Sequence, residues 1–263
     1  MNHSLTASSP VSKRLSPRKM AFITGTLLLT STGFICRILG FFYRIFMSRT
    51  IGAEGLGIYN MVHPIFSICF AVCAGSIQTA LSQYVAANQT RGRAVFRTGL
   101  VIAMGMSFLL AWVIYGNAGF LAEKLLLEPR CAPYLPVMAV SVPFAALHAC
   151  INGYYYGMQK ARVPAFSQVA EQVIRMGAVF LIASIWLESG RQITVSLAVY
   201  GHLIGEMASA VFTVFCLGFF PPCKDGDSRR APAIPLSFGA TAAPLMALAL
   251  PLMGNRLIVN VLG

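Results

Sequence analysis

The chain has 263 residues, 57% of them hydrophobic and only 11% charged, with a mean hydropathy of +0.70 and a net charge of +12. Soluble domains carry about 25% charged residues, so a water-soluble fold is excluded and an integral membrane protein is indicated. The basic surplus then reads as membrane topology and contact with anionic lipids, not as nucleic-acid binding.

The chain opens on a tail, residues 1–19, rich in Ser and Pro and carrying Lys13, Arg14, Arg18 and Lys19. It resembles the n-region of a secretion signal, but the apolar run behind it is too long, contains Arg37 and lacks a clear cleavage site. A retained first helix is predicted. A membrane span needs roughly 20 apolar residues, and seven runs meet that length: Met20 to Ser48, Gly57 to Ala87, Thr98 to Gly116, Tyr134 to Met158, Pro164 to Leu187, Thr194 to Phe220 and Leu236 to Gly263. Backbone polar groups cannot face lipid unpaired, and no alternating ten-residue pattern suggests a barrel, so the runs are helices. The expected fold is an all-α, polytopic transmembrane bundle. It divides into a six-helix lobe over 20–220, a linker over 221–235 rich in Pro, Lys, Asp and Arg, and a seventh helix over 236–263 that would start a second, truncated lobe.

Lys and Arg accumulate in cytoplasmic connections. Besides the tail, Arg91, Arg93 and Arg97, then Lys160 and Arg162, then Lys224, Arg229 and Arg230 lie on one side of the membrane. The alternate connections hold Arg49, Lys124, Arg130 and Arg191, balanced by Glu54, Glu123, Glu128 and Glu188. The N-terminus is therefore expected in the cytoplasm, which opposes a seven-helix receptor. Glycines at 25, 33, 40, 75 and 153 and prolines at 64, 143, 244 and 251 punctuate the spans. Packing accounts for any one of them, whereas several breaks together favour a rocking transporter.

Ionisable residues at bilayer depth cost on the order of 3 kcal/mol each and persist where they meet a cavity or a partner. Arg37 and Arg44 lie close to two turns apart, on one face of the first span, with no acidic residue on that helix to satisfy them. They are the primary substrate-binding candidates. Glu171 precedes Arg175 by four residues, the favourable order for an intrahelical pair. Glu206 has no opposite charge within a turn, so it either pairs with Arg37 or Arg44 or titrates as a proton-coupling group. Arg256 completes the set. Two acids against four bases leave a positive interior, and paired guanidinium forks suit phosphate and diphosphate, so a lipid with such a head is the expected substrate.

The remaining polar residues carry less. His63, His148 and His202 read as hydrogen-bonded filler more readily than as proton relays, and Gln78, Gln83, Asn152 and Gln168 suit either sugar hydroxyls or helix bridging. The seven cysteines form no CxxC pair, and Cys69 and Cys73 read as small packing residues. No HExxH, GxGxxG or GKS/T motif occurs, so neither an enzyme nor a cofactor is expected.

The stretch GTLLLTSTGFICRILGFFYRIFMSRTIGAEGLG, Gly25 to Gly57, resembles the N-terminal signature of polysaccharide-type flippases in the multidrug/oligosaccharidyl-lipid/polysaccharide exporter superfamily. It is most like the sporulation branch and, more distantly, the lipid II flippase branch. AGSIQTALSQYVA (Ala74 to Ala86), SQVAEQVIR (Ser167 to Arg175) and ALPLMGNRLI (Ala249 to Ile258) add to the likeness. The resemblance implies two lobes around a central cavity, alternating access, and movement of an undecaprenyl-phosphate-type glycan precursor across the cell membrane. It also implies cavity-facing first-helix arginines. Arg37 matches the first of these within CRILG; Arg44 matches the sporulation pattern FFYRI but falls one residue later than in the lipid II branch. Such proteins have about twice as many helices, so a second half-transporter chain or a homodimer is the expected partner, with membrane lipids. The competing readings are a cation-coupled multidrug exporter of the same superfamily and a non-transporting scaffold or remnant.

Overall fold

The computed structural model describes residues 17–222 and 238–262. Most of the tail and of the predicted linker lie outside the described residues. Among those described, the elements are α1 (Pro17–Phe70), a π-helical turn (Ala71–Gly75), α2 (Ser76–Ala87), α3 (Gly92–Gly116), α4 (Leu135–Gly157), α5 (Arg162–Glu188), α6 (Ser196–Phe219) and α7 (Phe238–Leu262), with short turns between them and no strand. The all-α expectation holds.

Among the described residues, six helices are long and apolar enough to cross a membrane, the first running from Ile23 to Ala87 over 65 residues. At 1.5 Å per residue that run would measure about 98 Å, against roughly 30 Å of hydrocarbon, so it cannot be one crossing. Gly52 breaks it, with φ 76° and ψ 174° inside otherwise helical backbone, a conformation that only glycine adopts without strain. The chain doubles back there: Met47 before the break and Leu56 after it join the same apolar cluster with Val179, Ala183, Leu197 and Ala198. The predicted connection between the first two spans thus contracts to a single non-helical residue.

Of the unbroken helices, α4 has the largest buried share of its apolar window, 67%, against 11% for α5, so α4 is the hub and α5 an outer wall. It packs on α2, α3 and α6. The α2–α4 contact is close because Gly153 sits against backbone: a Cβ there would lie 2.7 Å from the Gln78 carbonyl oxygen. Gly153→Ala is therefore expected to cost about 1–3 kcal/mol through overpacking. Gly177→Ala on exposed α5, where a Cβ meets nothing within 4 Å, should instead gain up to about 1 kcal/mol of helix propensity. Parallel thermal melts in detergent check the pair, and equal shifts would contradict this packing.

Pro64, Pro143, Pro244 and Pro251 all stay inside helices. Pro64 removes the amide that the Asn60 carbonyl would otherwise accept from. Two turns beyond, the π-helical turn is held by side chains, with Ser76 Oγ donating to the Ala71 carbonyl at 2.7 Å and Thr79 Oγ1 to that of Gly75 at 3.0 Å. Cys73 Sγ donates to the Cys69 carbonyl at 2.9 Å, so this pair is packing, and the described cysteines are free. In the connection before α4, Arg130 bridges Glu128, at 2.9 Å, and Glu54 beside the Gly52 bend. Hydrogen bonds from Arg130 hold the Glu128 carboxyl below the usual carboxylate range.

Candidate functional site

Three helices bring one charged cluster into the bundle. Glu171 and Arg175, one turn apart on α5, form the ion pair that their spacing predicts. Arg175 Nη2 also lies 3.6 Å from Oε1 of Glu206 on α6. On its other side, Glu206 Oε2 is 2.8 Å from His148 Nε2 of α4. His202, one turn before Glu206, brings Nε2 to 3.8 Å of Oε1. Glu206 is 5% exposed and His202 2%, so the carboxylate has exchanged water for these donors. Arg175 reaches it by crossing Gly205, where a Cβ would sit 2.7 Å from Nε.

Glu206 thus meets neither Arg37 nor Arg44, the pairing the sequence left open. Its partners are Arg175 and two histidines that sequence alone ranks as filler. The signal for His202 was present, since four-residue spacing puts it on the face of Glu206. Nothing in the sequence points to His148, 58 residues away.

Donor atoms of His148, Glu171 and Glu206 lie within 4.8 Å of one another, close enough to hold a metal ion. The Arg175 guanidinium already rests on both carboxylates, so a metal would have to displace it. Two carboxylates and one guanidinium carry a formal charge of −1 when all three are ionised.

The cluster borders a crevice of about 280 Å³ between the two arms of α1 and α5. Its wall includes Tyr43, Arg44, Tyr59, Asn60, His63, Gln172 and Arg175. Arg44 and Arg175 therefore share one cavity. Arg44 also lines an adjoining hollow of about 350 Å³ with Arg49 and Ser48. Its side chain is exposed and has no hydrogen-bond or ion-pair partner among the described residues. Arg37 is likewise exposed and unpartnered, two turns along the same flank, but is not part of the crevice wall. Arg256 stands apart: its Nη2 donates to Thr79 Oγ1 at 3.0 Å and its guanidinium covers Gly75 at the π-helical turn, which ties α7 to α2. Tyr59 and Asn60 are wall residues that the sequence did not single out.

A profile of polysaccharide biosynthesis proteins matches residues 22–263. The chain belongs to this family. Among curated members, stage V sporulation protein B of Bacillus subtilis (strain 168) is 30% identical over 248 residues, 92% of this chain and 47% of that protein. The lipid II flippase MurJ of the same organism is 23% identical over 206 residues, 72% of this chain and 38% of its own length. Sporulation protein YkvU, also from B. subtilis, is 18% identical over 192 residues, covering 73% and 42%. This polysaccharide biosynthesis family member therefore spans about half the length, or less, of the curated relatives it matches. It is a multi-pass membrane protein by its helices and its family alike.

Proposed function

We propose that the chain forms one lobe of a flippase for lipid-linked polysaccharide or peptidoglycan precursors in the cytoplasmic membrane, with its N-terminus inside. Arg37 and Arg44 line the route and hold the phosphate or diphosphate of the lipid head, and Arg175 presents a third guanidinium at the crevice wall. The convergence of Arg44 and Arg175 on one cavity carries this reading. Arg175 is fixed by Glu171 and Glu206, whereas Arg44 keeps its donors free for an incoming anion. Tyr43, Tyr59, Asn60 and Gln172 supply neutral donors and acceptors for sugar or phosphate oxygens. The Glu171–Arg175–Glu206 cluster sets the charge of the wall, and Arg256 acts at the α2–α7 contact. A second copy or another chain completes the cavity, and the two lobes rock to expose it alternately.

A multidrug exporter for cationic compounds would need net negative charge at the crevice. The free charges here are positive, which ranks that alternative lower. Cells that depend on this gene test the reading. Arg37→Ala and Arg44→Ala should each abolish export of the glycan precursor at normal protein level, and export unchanged in both variants would overturn it.

A further inference from the structure

At the end of the bundle where α3 begins and α4 and α6 finish, a cavity of about 390 Å³ is lined by Arg93, Phe96, Arg97, Tyr154, Leu217, Gly218, Pro221 and Pro222. It shares no wall residue with the crevice. We propose that it is a separate binding site for the phosphate of an anionic phospholipid headgroup, in the leaflet facing the Lys- and Arg-rich connections.

Chemistry and depth both favour this occupant. Arg93 and Arg97 are four residues apart on α3, so both guanidinium groups lie on one side of the helix and bring positive charge to one cavity wall. Arg97 is exposed and has no hydrogen-bond or ion-pair partner among the described residues. It sits between one and two turns into α3, about 7 Å along the axis, the depth of a headgroup and not of bulk water. The floor is apolar and rigid: Phe96 and Tyr154 stack with ring centroids 4.9 Å apart. Tyr155 Oη donates to the Phe220 carbonyl at 2.9 Å, which pins the end of α6 beside the rim. Pro221 and Pro222 offer no amide donors, so the rim suits glycerol and acyl carbons, while the two arginines supply the polar contacts. A bare anion would use only the arginines; a phospholipid uses the floor as well.

The in-chain competitors are Asp225 and Asp227, which follow Pro222 in sequence. Native mass spectrometry of the purified chain, released from micelles doped with phosphatidylglycerol and phosphatidylcholine, separates the cases. The chain should retain phosphatidylglycerol preferentially. Arg97→Gln should lower that retention about fivefold, the value of one interfacial cation, and Arg191→Gln on the opposite side should leave it unchanged. Excess inorganic phosphate should not strip the lipid. Equal retention by R97Q and the parent chain, or release by inorganic phosphate, would overturn the site. So would an R97Q effect that vanishes in the Asp225→Asn, Asp227→Asn background, because it would assign Arg97 to the chain's own linker.

Discussion

Arg175→Ala should lower the unfolding free energy by about 3–5 kcal/mol, the range for removing one partner of a buried ion pair. Arg175 is the guanidinium between Glu171 and Glu206, and without it two carboxylates share a pocket with donor atoms within 4.8 Å. Glu206 cannot turn to water, since it is 5% exposed and its other oxygen is engaged by His148. The loss therefore reflects stranded charge more than a missing bond. Glu206→Gln is the informative companion. It leaves the Glu171–Arg175 pair intact and keeps an oxygen that accepts from His148, so its cost should be under half that of R175A. Denaturant titrations in mixed micelles read both. An R175A loss below about 1 kcal/mol would mean that the cluster is hydrated and not a buried network.

Arg44→Gln should weaken binding of a polyprenyl diphosphate to the chain in nanodiscs about tenfold, and Arg37→Gln with Arg44→Gln about a hundredfold. Each charge-assisted contact is assigned one factor of ten, equivalent to about 1.4 kcal/mol. Arg44 occupies the crevice wall with Arg175, which makes it the single substitution to measure first. Arg44→Lys should recover only part of the affinity, because an ammonium offers a point charge where the guanidinium offers a fork. R44Q binding within twofold of the parent chain would place the lipid head elsewhere.

The bundle was legible because hydropathy acts over whole helices. Each of the seven apolar runs corresponds to a helical segment, and the Gly52 break falls between the first two runs. That bend was hidden, since glycine occurs throughout the chain and only backbone geometry distinguishes Gly52 as the one that breaks α1. The Glu171–Arg175 pair followed from four-residue spacing alone. Glu206 resisted the same logic because its partners come from three directions: His202 on its own helix, Arg175 on α5 and His148 on α4. Arg256 shared a residue type with the crevice arginines but not their place, since it closes over Gly75 and bonds Thr79. Charge at membrane depth marks a residue as unusual; the packing of helices distant in sequence decides which cavity it serves.

In the proposed flippase, Arg37 and Arg44 stay at membrane depth in order to meet an anionic head. The most direct measurement compares binding of a polyprenyl diphosphate and the corresponding neutral polyprenol, chain length held constant, to the chain in nanodiscs. The diphosphate should be preferred at least a hundredfold, and R37Q with R44Q should erase that preference. Equal affinity for alcohol and diphosphate, or a preference that survives the double substitution, would contradict this role.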